Sequence, residues 1–424
     1  MLLSILSIIY FINKETSKML EKKRLELACF SAVQMALADS SLMFSDSSVV
    51  NIDSSINVQL NAFQSGFWRE ITVSSKGIND SVEIKYLIGI KGNETGYFNN
   101  AIVFSRANLR ATVVGNTEVK GDILGTSDQI LTGSIFGEPA VKKDFHQGVK
   151  KVDHNIQSQL IPDSLFDKIA QLFSISNQDV ITEQQEISQT NIEMFTGYMQ
   201  YNFTGDLSFS GNIKLKDSNE LKFKVPGKTI FTENTVLKKP IEIYSDSLIV
   251  ISKNCTLENI LLFSTGAIII EEGCSFKNVQ LFSTDSIHIE GAQFNYPSII
   301  CLNVNDSVVS KQNNMINIKN SVINGSILLM TKTAGLSNNR TKIKVDKESK
   351  VQGLVYSENN IELLGKVLGT VFAYNFWYYK EPTEYINWLI NVKVDRTKLD
   401  KWFLLPTVFS NQGKYQILKE EWIY

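Results

Sequence analysis

The stretch Leu261–Phe294, LLFSTGAIIIEEGCSFKNVQLFSTDSIHIEGAQF, contains the same four residues twice. Leu-Phe-Ser-Thr begins at Leu262 and returns at Leu281, nineteen residues later. A fixed interval of this kind is typical of proteins that stack one structural repeat on the next. The stretch therefore predicts a repeat architecture.

Three copies of the repeat align when residues 245–263, 264–282 and 283–300 are superimposed with one deletion in the third copy. Between two aliphatic ladders, Val250, Ile269 and His288 are expected to point outward because neighbouring strand residues alternate faces. The β-branched composition favours a coil of a β-helix over a helical repeat. The predicted fold class is mainly β, with a right-handed parallel β-helix over residues 201–375. The predicted ladders are Ile249/Ile268/Ile287, Ile251/Ile270/Ile289, Cys255/Cys274/Ala292, Leu257/Phe276/Phe294 and Leu262/Leu281/Ile299.

A second pattern places an apolar residue two positions before and two positions after a glycine. With a period of two, all three residues share one face, and glycine there suits a narrow interior or a corner. Across residues 113–138 and 320–373 this spacing resembles the bactofilin-like group of polymer-forming bacterial β-helix proteins. The copies are Val119-Gly121-Ile123, Leu131-Gly133-Ile135, Ile323-Gly325-Ile327, Val351-Gly353-Val355, Leu363-Gly365-Val367 and Val367-Gly369-Val371.

The N-terminal residues 1–42 are predicted to form one long helix. Leu2–Ile12 is uncharged and apolar but shorter than the roughly 20 residues of a spanning helix, so either it spans incompletely or further residues precede it. We expect an uncleaved membrane-anchor and amphipathic helix; cleavage at Ala36–Ala38 and a mis-assigned start are the alternatives. An apolar run that continues into an amphipathic helix and then a β-rich body resembles pilin-like and pseudopilin-like envelope proteins. The apolar residues at helical spacing are Leu27, Phe30, Val33 and Leu37.

The remaining segments differ in pattern. Residues 43–160 alternate with a period of two between Gly and Asn turn signals, which predicts a small β-rich region that carries the first glycine motifs. In residues 161–200, Ile161–Phe173 has its apolar residues on one helical face and is predicted to be a helix followed by a linker. Residues 376–424 contain four of the five tryptophans and are expected to cap the end of the β-helix near Val367–Val371.

The candidate interface lies in this aromatic C-terminal segment. A cap is one explanation of the segment, and a docking surface for a protein partner or a glycan is the other. With the cap in place, the body from about Ser45 onward is expected to be a monomer, and any assembly is expected to be organised by the N-terminal helix. The interface residues are Trp377, Tyr378, Tyr379, Trp388 and Trp402.

Composition argues against several classes of function. The formal charge is -2 and no basic stripe is interleaved with aromatic residues, so nucleic acid is not expected as a partner. Four cysteines without a CxxC spacing and only three histidines predict no metal site and no cofactor.

Individual residues that could carry chemistry lack suitable neighbours. His288 has Val250 and Ile269 beside it in its ladder, neither of which can share a proton, and this argues against an enzyme. His146–His154 (HQGVKKVDH) is expected to be a solvated charged loop. Cys255 and Cys274 lie within reach of a disulfide, although two reduced core thiols are favoured.

Together these features predict a non-enzymatic protein of the bacterial cell envelope, without catalytic, cofactor-binding or metal-binding residues. It is expected to be held at a membrane by its N-terminal helix with the body outside the cytoplasm, as a scaffold or pilin-like assembly protein with envelope proteins as partners. The alternative is a carbohydrate-active or carbohydrate-binding β-helix protein, for which an outward cleft with acidic and aromatic residues would be required.

Overall fold

The computed structural model describes residues 2–43, 45–53, 56–78, 80–135, 137–141, 144–162, 180–192, 195, 200–214, 221–304, 314–331, 334–335 and 341–423. Within these residues the chain is mainly β. Its contacts divide it into two units, Met1–Asn93 with Leu404–Tyr424, and Glu94–Phe403. The prediction that the chain is mainly β is confirmed.

The secondary structure elements are numbered in chain order. The helices are α1 (Leu2–Ala38) and α2 (Ser40–Met43), and 3-10 helices span Tyr97–Asn99, Arg396–Lys398 and Thr407–Gln412. The strands are β1 (Ser48–Asp53), β2 (Ile56–Ser65), β3 (Trp68–Lys76), β4 (Ser81–Gly92), β5 (Ile102–Phe104), β6 (Ala111–Val114), β7 (Glu118–Lys120), β8 (Ile123–Gly125), β9 (Ile130–Thr132), β10 (His146–Gln147), β11 (Lys150–Val152), β12 (Val180–Thr182), β13 (Glu186–Ile187), β14 (Gln200–Phe203), β15 (Leu207–Phe209), β16 (Asn212–Ile213), β17 (Leu221–Val225), β18 (Thr229–Phe231), β19 (Val236–Leu237), β20 (Ile241–Ser245), β21 (Ile249–Ile251), β22 (Thr256–Ser264), β23 (Ile268–Ile270), β24 (Ser275–Ser283), β25 (Ile287–Glu290), β26 (Gln293–Val304), β27 (Met315–Lys319), β28 (Val322–Thr331), β29 (Lys342–Val345), β30 (Lys350–Leu363), β31 (Lys366–Lys380), β32 (Thr383–Ile386), β33 (Trp388–Ile390), β34 (Lys393–Asp395) and β35 (Gly413–Ile423).

The first unit is α1 packed against an antiparallel sheet in the order β1-β2-β3-β4-β35. Side chains alternate along the strands, so Val58, Leu60 and Val73 are fully buried in the core that α1 shares. The alanines at positions 28, 32 and 36 recur every four residues on the buried face of α1. Small side chains on that face let the helix lie close to the sheet.

The predicted helix of residues 1–42 is observed as α1 and α2 with a break at Asp39. The Asp39 carboxylate accepts a hydrogen bond from the Ser41 backbone N–H at 2.9 Å, and the hydrogen bonds from Ser41 lower the pKa of Asp39. An aspartate that bonds the backbone two residues ahead favours a turn over a continuing helix. The break therefore has a local cause.

The second unit is a solenoid-like parallel β-helix. Long strands such as β22 and β24 bend at Asn259 and Asn278, which have positive φ and let one strand contribute to two ladders. Most of its described strands form three ladders, namely β12-β14-β17-β20-β22-β24-β26-β28-β30-β31-β5-β8-β11, β13-β15-β18-β21-β23-β25-β27-β29-β30-β31, and β16-β19-β22-β24-β26-β28-β30-β31-β34-β7-β10. A separate three-stranded sheet has the order β33-β6-β9.

The register of the nineteen-residue repeat agrees with the sequence prediction over most of its length. Ile268 pairs with Ile249 and Ile287, and all three are fully buried. In the predicted ladder Leu262/Leu281/Ile299 the last member was wrong by one residue, because Leu281 pairs with Ile300 and not with Ile299. A bulge after Lys277 shifts the register there.

The glycine motif has the expected role in three of its copies. Gly325, Gly353 and Gly369 occupy equivalent positions in successive rungs and all have positive φ. A Cβ on Gly353 would lie far inside van der Waals contact of the Gly325 carbonyl oxygen. The absence of a side chain therefore allows these rungs to approach closely at a corner.

The order of the rungs along the stack differs from their order in the sequence. Val367 and Val371 of β31 pair with Val394 of β34 and Ile102 of β5, and the stack continues through β7 and β8 to β10 and β11. The predicted small β-rich region thus contains an antiparallel part (β1 to β4) and these end rungs.

The predicted C-terminal cap over Val367–Val371 is not observed, since strands from residues 102–125 and 393–395 continue the stack at that point. β35 belongs to the antiparallel sheet of the first unit, so residues 376–424 are divided between the two units. The helix predicted at Ile161–Phe173 lies, from residue 163 onward, outside the described residues.

The last rung among the described residues, β10 and β11, carries polar side chains at positions that continue the core ladders. His146 pairs with the buried Val119, and Lys150 pairs with the buried Ile123. The His146 Nε2 atom lies 3.0 Å from the Gly121 carbonyl oxygen. Charged and polar residues on an edge strand oppose pairing with a further strand. The stretch predicted to be a solvated loop is in fact this end rung.

Candidate functional site

One candidate interaction surface is the side of α1 that faces away from the sheet. From residue 7 to residue 20 the side chains of α1 are exposed, with Glu15 half-buried. Tyr10, Phe11 and Met35 are exposed on other sides of the helix. At 100° per residue, a set of five further exposed apolar residues falls within an arc of about 100°. We call this set the outer apolar face of α1. It consists of Ile8, Ile12, Met19, Leu27 and Phe30.

The position of this face corrects the sequence prediction, which grouped Leu27 and Phe30 with Val33. Val33 is fully buried against the sheet, whereas Leu27 is 67% exposed and Phe30 is 45% exposed. The sheet covers only the side of the helix that carries the alanines, so residues on the other side cannot contact the sheet. Leu27 and Phe30 therefore lie outside the face of α1 that contacts the sheet.

The contact between Glu21 and the β3–β4 turn marks where α1 leaves the sheet. The Glu21 carboxylate accepts a hydrogen bond from the Ile78 backbone N–H at 2.6 Å. The first fully buried side chain after it is Leu25. About half of the helix therefore lacks contact with the core of its own unit.

The sequence predicted a transmembrane anchor within residues 1–42. Among the helices of the described chain, none is both long and apolar enough to cross a membrane.

A second candidate surface is the hairpin formed by the end of β31 and β32. Trp377 pairs with Ile386, Tyr378 with Tyr385, and Tyr379 with Glu384. Because paired residues share a face and neighbours alternate, Trp377, Tyr379, Glu384 and Ile386 lie on one side. We call these four residues the outer hairpin face.

The other side of the hairpin holds it against the β-helix. Tyr378 and Tyr385 are half-buried and pack on the small cluster of Val114, Ile135 and Ile390. The Tyr385 ring lies 5.3 Å from the Trp388 ring in an edge-to-face arrangement. The hairpin is thus fixed on one face, and on the other face Tyr379 and Ile386 are exposed while Trp377 is buried.

Trp377 is held in place by a buried ion cluster. The Lys342 Nζ atom lies 3.5 Å from the Trp377 ring centroid and 2.8 Å from a Glu362 carboxylate oxygen. Lys344 contacts the second oxygen of Glu362 at 3.1 Å. Burial lowers the pKa of Lys342. The Trp377 Nε1 atom is buried and has no hydrogen-bond partner in the described structure.

Four of the five predicted interface residues therefore come together in strands β31 to β33. Trp402 lies in the turn after Asp400, where its backbone N–H donates to the Asp400 carboxylate at 2.9 Å, and its side chain is 76% exposed. It shares none of the described ring contacts of the other four. Sequence reasoning missed Tyr385, Lys342 and Glu362; only the closeness of Tyr385 to the aromatic run could have indicated it.

The outward ladder of the repeat borders a shallow cleft. His288 lines it with Ile269 and Asn317, beside Glu271 and Glu290, and its volume is about 520 Å³. Burial lowers the pKa of His288. None of the described hydrogen bonds involves the His288 ring, and no group of three His, Cys, Asp or Glu residues in the described chain could hold a metal ion.

The cysteines are free thiols in the described chain. Cys255 and Cys274 lie in adjacent rungs, and their Sγ atoms donate to the carbonyl oxygens of Thr232 and Ser252, each at 3.1 Å. The hydrogen bond with Cys255, together with burial, raises the pKa of Cys274. Such thiols behave as small buried hydrophobic residues.

No family model matches the chain, and no curated protein matches its sequence. The bactofilin-like resemblance is thus without support from a family match. Among solved structures, an ice-binding protein from an Antarctic bacterium, Flavobacteriaceae, is similar at 10% identity over 70% of this chain and 96% of that chain, with a TM-score of 0.20. The competence-associated pilin ComZ from Thermus thermophilus is similar at 8% identity over 89% of this chain and 86% of that chain, also with a TM-score of 0.20. Likenesses at this level carry no argument about function.

Proposed function

We propose that the chain is a non-enzymatic, pilin-like assembly protein of the bacterial envelope, with the β-helix displayed outside the cytoplasm. The outer apolar face of α1 is the element that joins it to other envelope proteins or copies of itself. The observation that carries this proposal is the exposure of the large apolar side chains Ile8, Ile12, Met19, Leu27 and Phe30 along one side of α1. Exposed apolar patches of this kind mark interaction sites.

The two faces of α1 support this role. Ala28, Ala32 and Ala36 pack the helix against its own sheet. The outer apolar face stays exposed both before Leu25 and in the part of the helix that packs on the sheet. A second helix could contact this face without displacing the sheet. Burying each of these large side chains would contribute about 1.5–3 kcal/mol.

The end rung of the β-helix supports assembly through α1 in preference to stacking of β-helices. His146 and Lys150 stand where a further rung would continue the core. Covering a lysine at such a position costs free energy unless a partner charge is supplied. This argument disfavours bactofilin-like polymerisation at that end.

The test is sedimentation velocity of the full-length chain over a range of concentrations. Leu27→Asp should weaken self-association at least about tenfold, because the new carboxylate would be buried in the contact. Val49→Asp is the matched control, since Val49 is 66% exposed in the same unit but lies outside the outer apolar face. Its association should remain unchanged.

A wild-type chain that is monomeric at every concentration would reject self-assembly. Equal weakening in Leu27→Asp and Val49→Asp would reject the assigned face.

A further inference from the structure

The outer hairpin face combines an exposed aromatic ring with fixed charged groups. Tyr379 is 46% exposed, and its ring lies parallel to the Trp377 ring at 6.1 Å between centroids, with an interplanar angle of 9°. Beside these rings lie the Lys342–Glu362–Lys344 cluster and Glu384. We propose that this face is a binding site for a neutral glycan, with one pyranose ring stacked on Tyr379.

The size of the surface favours a sugar over a protein. An aromatic side chain has about 150–250 Å² of surface, so the exposed parts of Tyr379 and the 44% exposed Ile386 amount to roughly 150 Å². A stable protein interface buries about 800 Å² on each partner. One aromatic face is nevertheless sufficient to cover one face of a pyranose ring.

The charges favour a neutral ligand over a polyanion. Lys342 and Lys344 are paired with Glu362, and Glu384 faces the same side as Tyr379. A stacking platform for nucleic acid is normally combined with a positively charged groove, and here the charges of opposite sign balance. Hydroxyl groups of a sugar can accept from ammonium groups and donate to carboxylates, so a balanced set suits them.

The site is rigid before any ligand arrives. Tyr378 and Tyr385 hold the hairpin to the β-helix on its inner side, and the Lys342 Nζ atom contacts the Trp377 ring at 3.5 Å from its centroid. A preorganised aromatic surface loses little conformational entropy on binding.

This inference does not depend on the assembly proposed for α1, and its test leaves α1 unchanged. The full-length chain is titrated calorimetrically with cellohexaose, chitohexaose and maltohexaose, and with the oligonucleotide (dT)6. At least one hexasaccharide should bind the wild type and Tyr379→Phe alike. Tyr379→Ala should bind it at least about tenfold more weakly, which corresponds to ~1.4 kcal/mol.

The matched control is Trp402→Ala, which removes a more exposed aromatic side chain outside the hairpin and should leave binding unchanged. If Tyr379→Ala does not fold, Ile386→Ser replaces it as a change on the outer hairpin face. Ile386→Ser should also weaken binding. The proposal is overturned if none of the three hexasaccharides binds, if Trp402→Ala loses as much affinity as Tyr379→Ala, or if only (dT)6 binds.

Discussion

Replacing Gly353 by alanine should destabilise the β-helix strongly, although alanine adds one methyl group. Gly353 has a φ of 146°, a conformation that costs an L-residue about 1–3 kcal/mol. The new Cβ would also overlap the Gly325 carbonyl oxygen of the preceding rung. Gly369 pairs on the other side, so the residue cannot move away without disturbing a second rung.

The size of the effect follows from the backbone strain, the steric overlap and the ladder hydrogen bonds that are lost. Overpacking costs about 1–3 kcal/mol, and each ladder hydrogen bond lost adds about 0.5–1.5 kcal/mol. Together with the backbone term, the free energy of unfolding of the β-helix should fall by about 3–5 kcal/mol. Gly205→Ala is the control, because a Cβ there meets no atom within 4 Å, and its effect should be below about 0.5 kcal/mol.

Urea denaturation of the full-length chain, followed by far-ultraviolet circular dichroism, measures both variants against the wild type. A lower midpoint with an unchanged slope identifies a loss of stability. If Gly353→Ala and Gly205→Ala unfold at the same urea concentration, the close approach of the rungs at the glycine ladder is refuted.

The remaining predictions concern the core ladders, the ion cluster and pH. Ile268→Asp should prevent folding of the β-helix and Ile269→Asp should be tolerated, because Ile268 is fully buried and Ile269 lies on the outward, half-buried face; equal expression and midpoints would contradict the register. Lys342→Ala should lower the free energy of unfolding by about 2–4 kcal/mol and shift the tryptophan emission to longer wavelength. Lys344 is more exposed, so Lys344→Ala should lower it by less than about 1 kcal/mol. A larger loss in Lys344→Ala than in Lys342→Ala would show that Lys344 is the main partner of Glu362. Burial, with a smaller contribution from Asp246, raises the pKa of Tyr244 to about 12, so the folded state retains that proton more tightly than the unfolded state. Stability should therefore be lost as the pH rises from about 10 to about 12, and Tyr244→Phe should reduce this loss; an identical pH dependence in both proteins would contradict the role of Tyr244.

The sequence by itself determined the features that depend on neighbouring residues. A period of two within strands and nineteen between them placed Ile268 beside Ile249 and left Ile269 outward, because alternation is a property of any strand. The glycine spacing likewise identified Gly353 and Gly369 as equivalent rung positions. The aromatic run located most of the outer hairpin face for the same local reason.

The tertiary structure decided which segments meet when they are distant in the sequence. The face of α1 that contacts the sheet could not be chosen from the helix alone, since apolar residues lie on both sides and the sheet covers only one. Lys342 and Glu362 could not be assigned to Trp377, because their contact crosses from the rung strands to the hairpin. The end of the stack was misplaced because β5 pairs with β31 across more than 260 residues, and β35 returns to the N-terminal sheet in the same way. Local periodicity specifies how each strand presents its faces, whereas the choice of partner at an open edge depends on burying surface from the whole chain at once.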